Sequence, residues 1–265
     1  IGGSRLWEID DSSTGIFEIK QNRTINLGGI LTLGMVSQEN GTTLLNSGTI
    51  TDENEKNDDW IKKMPVSGTD AQGDYYKIYG PSDVEYIVRR SKDGYVGYKV
   101  GIAQVEENSR KRFDALTKKM EKQELQNKGT IDFRGERSIG MYVYLPRHLK
   151  DNSNNPNYDI MYTWVKVRNQ QGASILLSGK ESYGMKIAAN GNHEADGASP
   201  SGTVPAGATP AKMINEGTIE LRVNPDGKDK ADNSAAMALM EDKSVFNHVK
   251  MKRGNTVNEG TGTIK

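Results

Sequence analysis

The residue types that most often carry out catalysis are sparse in this chain. The histidines are His148, His193 and His248, which are far apart in sequence, and there are no cysteines. The chain contains no His-Glu-x-x-His zinc motif, no Gly-x-Ser-x-Gly nucleophile turn and no glycine-rich phosphate loop. The missing cysteines exclude a disulfide framework, cysteine-bound zinc and a thiol nucleophile. We therefore expect neither an enzyme nor a bound cofactor or metal.

One stretch does have residue types suited to ligand contact. The acidic run at 52–59 offers carboxylate oxygens that calcium could use, but it lacks defined ligand spacing, so we interpret it as a solvated charge run. Aromatic residues follow it, and Trp and Tyr provide a large contact area with a polar tip. The candidate binding residues are Trp60, Tyr75, Tyr76 and Tyr79. The alternative is that these side chains only pack an inserted loop onto the rest of the protein.

The overall composition narrows the class of partner. Lys plus Arg and Asp plus Glu are both 35, and the sequence pI is about 7.0, so no net field attracts nucleic acid. No run of 18 apolar residues exists that could form a membrane-spanning helix. Hydrophobic residues make up 34% and mean hydropathy is −0.70, which is low for a compact core but suits a narrow, elongated body.

The elements that must position the candidate residues are indicated by a phrase that recurs along the chain. Its first part, Asn-x-Gly-Thr, begins at Asn46, Asn127, Asn215 and Asn258, and a less regular copy begins at Asn169. Its second part, Gly-x-x-Ser-x-Gly-Met, begins at Gly135 and again at Gly179. From Asn127 onward the copies lie about 42 to 46 residues apart, which indicates stacked repeats. The gap from Asn46 to Asn127 is about twice as wide, and predicts a degenerate copy over 91–98 with Tyr98 replacing methionine.

Each repeat predicts short strands. Ile131 and Phe133 alternate with polar neighbours, and a period of two indicates strand. Gly135 and Gly140 separate the strands, and we predict that they let the chain bend through positive φ. Strands with one apolar face must be covered by the next repeat, so the pattern predicts an all-β stack, a β-solenoid. A sandwich of antiparallel hairpins is the alternative; it explains the alternation but not the recurring phrase.

Three segments interrupt the repeat. The first, at about 52–90, contains the acidic run and the candidate aromatic residues. The second, 106–126, places Phe113, Leu116 and Met120 at helical spacing and predicts a short amphipathic helix. The third, 190–212, is rich in Gly, Ala, Ser and Pro and predicts a loop. We expect residues 1–265 to form a single solenoid segment carrying these insertions, as part of a longer chain.

The recurring phrase also supports a family resemblance. At 127–144, 179–185 and 215–221 the chain resembles the passenger repeats of large fusobacterial type V autotransporter adhesins. The resemblance covers most of the chain from Asn46 onward, apart from the loops and the predicted helix. It implies a right-handed parallel β-helix displayed at the cell surface, on the extracellular side of the outer membrane. It also implies attachment to host cells, or coaggregation with other bacteria, through glycans or protein receptors.

These observations lead to a functional hypothesis with two alternatives. Irregular loops on a regular scaffold often carry binding function, so we expect the 52–86 segment, aided by 106–126, to form a receptor-facing surface. The expected partners are a host cell-surface receptor protein or glycan and the surface of partner bacteria, with no nucleic acid, no membrane insertion of this segment and a monomeric chain. The alternatives are a structural spacer within the passenger stalk and a polysaccharide-acting β-helix enzyme.

Overall fold

The computed structural model describes residues 8–9, 15–30, 32–37, 42–55, 63, 65–71, 73–79, 85–89, 94–105, 123–145, 165–189, 212–222, 233–241, 255–258 and 263–265. Most of the strands in this part of the chain occur in sets of three, which we call rounds. The first two rounds are β1 (Glu8–Ile9), β2 (Gly15–Ile19), β3 (Thr24–Asn26), and β4 (Thr32–Ser37), β5 (Thr42–Asn46), β6 (Thr49–Thr51). An inserted sheet follows, with β7 (Gly68–Asp70), β8 (Gly73–Tyr79) and β9 (Glu85–Val88).

Four further rounds follow the inserted sheet. The third and fourth are β10 (Lys99–Val105), β11 (Gln123–Asn127), β12 (Thr130–Phe133), and β13 (Ile139–Leu145), β14 (Val165–Asn169), β15 (Ser174–Leu177). The fifth and sixth are β16 (Tyr183–Ala189), β17 (Lys212–Asn215), β18 (Thr218–Leu221), and β19 (Ala235–Glu241), β20 (Asn255–Asn258), β21 (Thr263–Ile264).

The three strands of each round belong to three different sheets. Sheet 1 contains the first strand of every round, sheet 2 the second and sheet 3 the third, so each sheet has six strands. Neighbouring strands in these sheets pair in parallel, as β10 does with β13 and β11 with β14. The predicted all-β class is therefore confirmed. The alternative of antiparallel hairpins is wrong for the repeats, because consecutive repeats pair in parallel.

Parallel pairing in register places equivalent residues of successive rounds side by side. In sheet 3 the column is Ile25, Ile50, Ile131, Ile175, Ile219 and Ile264. In sheet 1 it is Met35, Ile102, Met141, Met185 and Met237. Both columns contribute to the main hydrophobic cluster, in which most of these side chains are fully buried. The recurring Ile and Met of the sequence are thus core residues, as the alternation predicted.

The recurring asparagine forms a buried chain of side-chain amides at the end of sheet 2. Asn46 Nδ2 donates to Asn127 Oδ1 at 2.9 Å, Asn127 donates to Asn169 at 2.9 Å, and Asn169 donates to Asn215 at 2.8 Å. Each also donates to a sheet 3 carbonyl in the next round, as Asn127 does to Ser174 O at 3.2 Å. A buried amide needs partners for its donors and its acceptor, and here residues of the neighbouring rounds provide them.

The glycines of the phrase are required by close packing, and the prediction that they adopt positive φ is wrong. A Cβ on Gly135 would lie 2.2 Å from Val96 O, and one on Gly140 would lie 2.6 Å from Gly184 O. The left-handed residue at this corner is Arg137, at φ 53°, and its equivalent in the next round is Glu181, at φ 55°. The corner therefore bends at a polar residue, while the glycines let adjacent rounds approach.

The wide gap between Asn46 and Asn127 does not hold an additional round. These two asparagines belong to adjacent rounds, and the inserted sheet accounts for the extra length. Ile102, and not Tyr98, takes the position of the repeated methionine, because Ile102 pairs with both Met35 and Met141. The predicted copy over 91–98 is misplaced because Lys99 and Ile102 stand beside Ser138 and Met141 of the next round, so that little more than Gly101 remains of the phrase.

The outcome for the other predicted insertions is partial. Within the predicted helix 106–126, residues 123–126 belong to strand β11, and 106–122 lie outside the described residues. Within the predicted loop 190–212, Lys212 begins β17 and the remainder lies outside the described residues. Both segments connect a strand of sheet 1 to a strand of sheet 2, and so do 146–164 and 242–254. The insertion containing the candidate aromatic residues instead connects sheet 3 to sheet 1.

Candidate functional site

The inserted sheet has two faces of different character. β8 is its central strand and pairs antiparallel with β7 and β9. Successive side chains on a strand point to opposite sides, and along β8 Tyr76 and Ile78 point to one side while Tyr75, Lys77 and Tyr79 point to the other. Tyr76 is 3% exposed and Tyr79 is 60% exposed. We call the second side the outer face.

The outer face combines exposed apolar groups with paired charges. Ile87 is 41% exposed and lies directly opposite Lys77, and Glu85 lies opposite Tyr79. Lys77 Nζ lies 3.0 Å from Glu85 Oε1, and Tyr79 Oη donates to Glu85 Oε2 at 3.1 Å. The hydrogen bond from Lys77 lowers the pKa of Glu85 most, and the hydrogen bond from Tyr79 lowers it further, so this carboxylate stays ionised. The face therefore offers an aromatic ring and an aliphatic side chain beside a fixed charge pair.

Tyr75 occupies the other end of the outer face and is held in place by neighbours. The Arg89 guanidinium lies over its ring at 5.5 Å from the ring centre. Arg89 also pairs with Asp70 Oδ2 at 2.5 Å and donates to Gly73 O at 2.9 Å. Gly68 pairs with Tyr75 across the strands, and a Cβ there would lie 2.4 Å from Tyr75 Oη. Tyr75 is therefore a half-buried, ordered part of the face, with one side of its ring covered by arginine.

The inner face packs the inserted sheet against the body formed by sheets 1, 2 and 3. A second hydrophobic cluster, separate from the main core, joins Val88 of β9 to Ile30 and Val96, with Ile78 and Tyr98 packed against it. Polar contacts reinforce this seat: Arg137 Nη1 and Tyr98 Oη both donate to Ile87 O, at 3.2 and 3.3 Å. Among the described residues, the apolar contacts with the body are thus made by the inner face, while Tyr79 and Ile87 on the outer face are exposed.

Three charged residues are fully buried beneath the insertion: Asp52, Glu55 and Lys99. Lys99 Nζ lies 2.7 Å from Glu55 Oε2 and donates to Gly29 O at 3.0 Å and Val96 O at 2.5 Å. An ammonium has three N–H donors, and each has an acceptor here. Glu55 in turn accepts from the backbone N–H of Gly29 at 3.1 Å and of Val96 at 3.0 Å.

Asp52 is the third member of this buried group. Its carboxylate accepts the backbone N–H of Arg134, at 2.9 and 3.1 Å to the two oxygens, and that of Gly135 at 3.0 Å. Burial raises the pKa of Glu55 to about 7 against the opposing effect of the Lys99 ammonium, and burial also raises the pKa of Asp52. The interpretation of the acidic run as solvated is wrong for Asp52 and Glu55, which are buried and engaged by backbone amides and lysine. Residues 56–59 of the run lie outside the described residues.

The structure places the three tyrosines predicted to bind a ligand on two different faces of the inserted sheet. Tyr75 and Tyr79 share the outer face, whereas Tyr76 is buried and contributes to packing, so the prediction that Tyr76 contacts a ligand is not supported. Trp60 lies outside the described residues. Sequence reasoning missed Lys77, Glu85, Ile87 and Arg89, although strand alternation through 75–79 would have separated Tyr76 from its neighbours. No local signal pointed to Lys99, whose partner Glu55 is distant in sequence.

Histidine and carboxylate side chains are the remaining candidates for a metal site. His148, His193 and His248 lie outside the described residues. Within the described ranges, no group of three or more His, Cys, Asp or Glu side chains is arranged to hold a metal ion. In that same part of the chain no helix has the length and apolar character needed to cross a bilayer. The chain matches no protein-family model, and searches of curated proteins and of solved structures give no match.

Proposed function

We propose that this chain is a segment of a bacterial cell-surface adhesin, displayed on the extracellular side of the outer membrane. In this proposal the three parallel sheets wind as a right-handed β-helix that serves as the scaffold. The outer face of the inserted sheet contacts a receptor protein or glycan on host cells or on partner bacteria. Two features support it: the passenger-like repeat phrase, and a body of six regular rounds interrupted by one sheet of a different kind.

The observation that carries the proposal is the exposure of Tyr79 and Ile87 on the inserted sheet. Large apolar side chains at a surface are uninformative when scattered, but here they lie on adjacent strands beside a fixed Lys77–Glu85 pair. Aromatic and apolar contacts with a polar surround are the usual composition of protein recognition surfaces. On sheet 3 the outward positions beside Ile131 and Ile219 are instead polar, with Thr130, Asp132, Thr218 and Glu220.

The test is binding of the purified chain to host cells and to partner bacteria. The variant combines Tyr79→Ala with Ile87→Ser, which removes the exposed apolar groups and leaves the buried side of the sheet intact. We expect saturable binding by the wild type and a loss of at least about tenfold in affinity in the variant. The matched control is Ile16→Ser, because Ile16 is 71% exposed on sheet 2, away from the inserted sheet.

Each outcome distinguishes the candidate functions. Saturable binding that survives the double substitution would overturn the assignment to the outer face. No saturable binding by the wild type would favour the spacer, and turnover of an added polysaccharide would favour the enzyme. Protease treatment of the target cells, compared with glycosidase treatment, separates a protein receptor from a glycan.

A further inference from the structure

The three buried charged residues lie where the insertion leaves and rejoins the body. Asp52 directly follows β6, the last strand before the insertion, and Lys99 is the first residue of β10, the first strand after it. Glu55 lies three residues after Asp52 and pairs with Lys99 across a sequence separation of 44 residues. The same contacts therefore close the insertion at its base.

Contacts from this group reach the body on both sides of the insertion. Asp52 accepts hydrogen bonds from Arg134 and Gly135, which follow β12 in the third round. Glu55 and Lys99 both bind the backbone of Gly29, which lies between the first and second rounds. These hydrogen bonds to backbone atoms of the body orient the inserted sheet, in addition to the apolar contacts of its inner face.

The lysine is a departure from the repeat that coincides with the insertion. Register places Lys99 in the column that contains Ser138, Ser182 and Ser234 in the following rounds. Those serines accept a backbone N–H from the preceding round, as Ser138 Oγ does from Lys99 and Ser182 Oγ does from Ser138. A serine at residue 99 would be too short to reach Glu55 and would carry no positive charge. The cation occurs in the round that must hold the inserted sheet.

We propose that Asp52, Glu55 and Lys99 form an ionic anchor that positions the inserted sheet on the body. When the anchor is broken, that sheet detaches as a unit while the six rounds stay folded. Removing one partner of a buried ion pair leaves an uncompensated charge, which is far more costly than losing both. Loss of Lys99 alone therefore favours the state in which Glu55 reaches solvent, and this requires the base of the insertion to open. The consequence for adhesion rests on the proposed function; the opening itself does not.

The experiment is amide hydrogen exchange on the full 265-residue chain at pH 8, above the pKa of about 7 to which burial raises Glu55 in the wild type. Peptides covering β8 report the inserted sheet, and peptides covering β16 report the body. We expect Lys99→Met to raise exchange in β8 on the order of 100-fold while β16 changes little. Combining it with Glu55→Met removes both charges and is expected to return β8 to within about tenfold of wild type.

Two further variants keep the result interpretable. Lys99→Arg retains the charge and is expected to give exchange between wild type and Lys99→Met, which a purely steric role for Lys99 does not predict. Met185→Ala is the matched control, since it creates a cavity in the body and should raise exchange in β16 without a preferential effect on β8. Equal increases in β8 and β16 with Lys99→Met, no increase at all, or no recovery in the double variant would each overturn the anchor. Adhesion measured on the same variants reports separately on the proposed function.

Discussion

Asn46 Nδ2 donates a hydrogen bond to Asn127 Oδ1 at 2.9 Å, although 81 residues separate the two in sequence. This contact shows that the second and third rounds are direct neighbours and that the whole inserted sheet lies outside the repeat. The same amide-to-amide contact recurs between Asn127 and Asn169, which are 42 residues apart. The spacing between copies of the phrase therefore varies while the distance between neighbouring amides stays constant.

The asparagine chain predicts a large stability cost for removing one member. Asn127→Ala leaves Asn46 Nδ2 and Asn169 Oδ1 each without one amide partner in a buried site, so we expect the free energy of unfolding to fall by about 3 kcal/mol. Denaturant unfolding followed by circular dichroism measures this. Gln126→Ala on the same strand faces outward and serves as the control, with an expected loss below about 1 kcal/mol. Equal losses for the two variants would contradict a special role for the buried amides.

The close approach at sheet 1 predicts that Gly140 tolerates no side chain. A Cβ at this position would lie 2.6 Å from both Gly184 O and Ile175 Cγ2. We expect Gly140→Ala to cost about 3 kcal/mol, near the upper end of overpacking effects, because one contact is backbone. The comparison is Gly172→Asn, at φ 81° with open space around its Cβ, which should cost no more than about 1 kcal/mol. A Gly140→Ala variant as stable as wild type would show that the rounds can separate at little cost.

The two tyrosines that differ in burial make a direct prediction about packing. Tyr76 is 3% exposed on the inner face, so Tyr76→Ala is expected to destabilise by about 3 kcal/mol or more. Tyr79 is 60% exposed, and Tyr79→Ala is expected to cost less than about 1 kcal/mol. Thermal unfolding of the two variants beside wild type measures the difference. If Tyr79→Ala proved the more damaging, the assignment of the two faces of β8 would be reversed.

The buried Glu55 carboxyl predicts a pH dependence with a definite sign. Its pKa is raised from 4.5 to about 7 in the folded protein, so the folded state binds this proton more tightly than the unfolded state does. The resulting stabilisation is fully present below pH 4.5 and is lost as pH rises through about 7. The unfolding free energy of wild type minus that of Glu55→Gln should therefore fall between pH 4.5 and 7 and level off by about pH 8.

Denaturant titrations at several pH values test this prediction. Asp52, whose pKa is also raised by burial, is present in both proteins, so its contribution largely cancels in the difference. A difference that stays constant with pH would show that Glu55 keeps its ordinary pKa. A difference that rises with pH would show that the Lys99 ammonium outweighs burial at this carboxyl.

Much of the body could be predicted from local pattern. Alternation at Ile131 and Phe133 marked a strand with one buried side, and both side chains are fully buried. The recurring Met141 and Met185 marked stacked equivalents, and they pair in sheet 1. These predictions succeed because a period of two and a repeated phrase report which side of a strand is buried, and neighbouring repeats satisfy that need in the same way.

The sequence predicted that the candidate aromatic residues lie in an insertion, but it did not predict which side chains surround them. The aromatic stretch after the acidic run does lie in an insertion, and Tyr75 and Tyr79 do share its outer face. The charged neighbours Lys77 and Glu85 were not identified, because their pairing depends on β8 and β9 lying antiparallel. The predicted helix overran into β11, since the side chains of Glu124 and Gln126 are as compatible with an exposed strand face as with a helix.

The sequence by itself determined the all-β class, the repeat and the identity of most core residues, because each of these follows from spacing along a few neighbouring residues. Tertiary structure alone decided that Asn46 lies beside Asn127, that Lys99 pairs with Glu55 and that Asp52 accepts hydrogen bonds from the backbone of Arg134. These contacts depend on which strands pair across long separations. Parallel pairing is set by the whole sheet, and an insertion of any length can enter between two rounds without changing the register on either side.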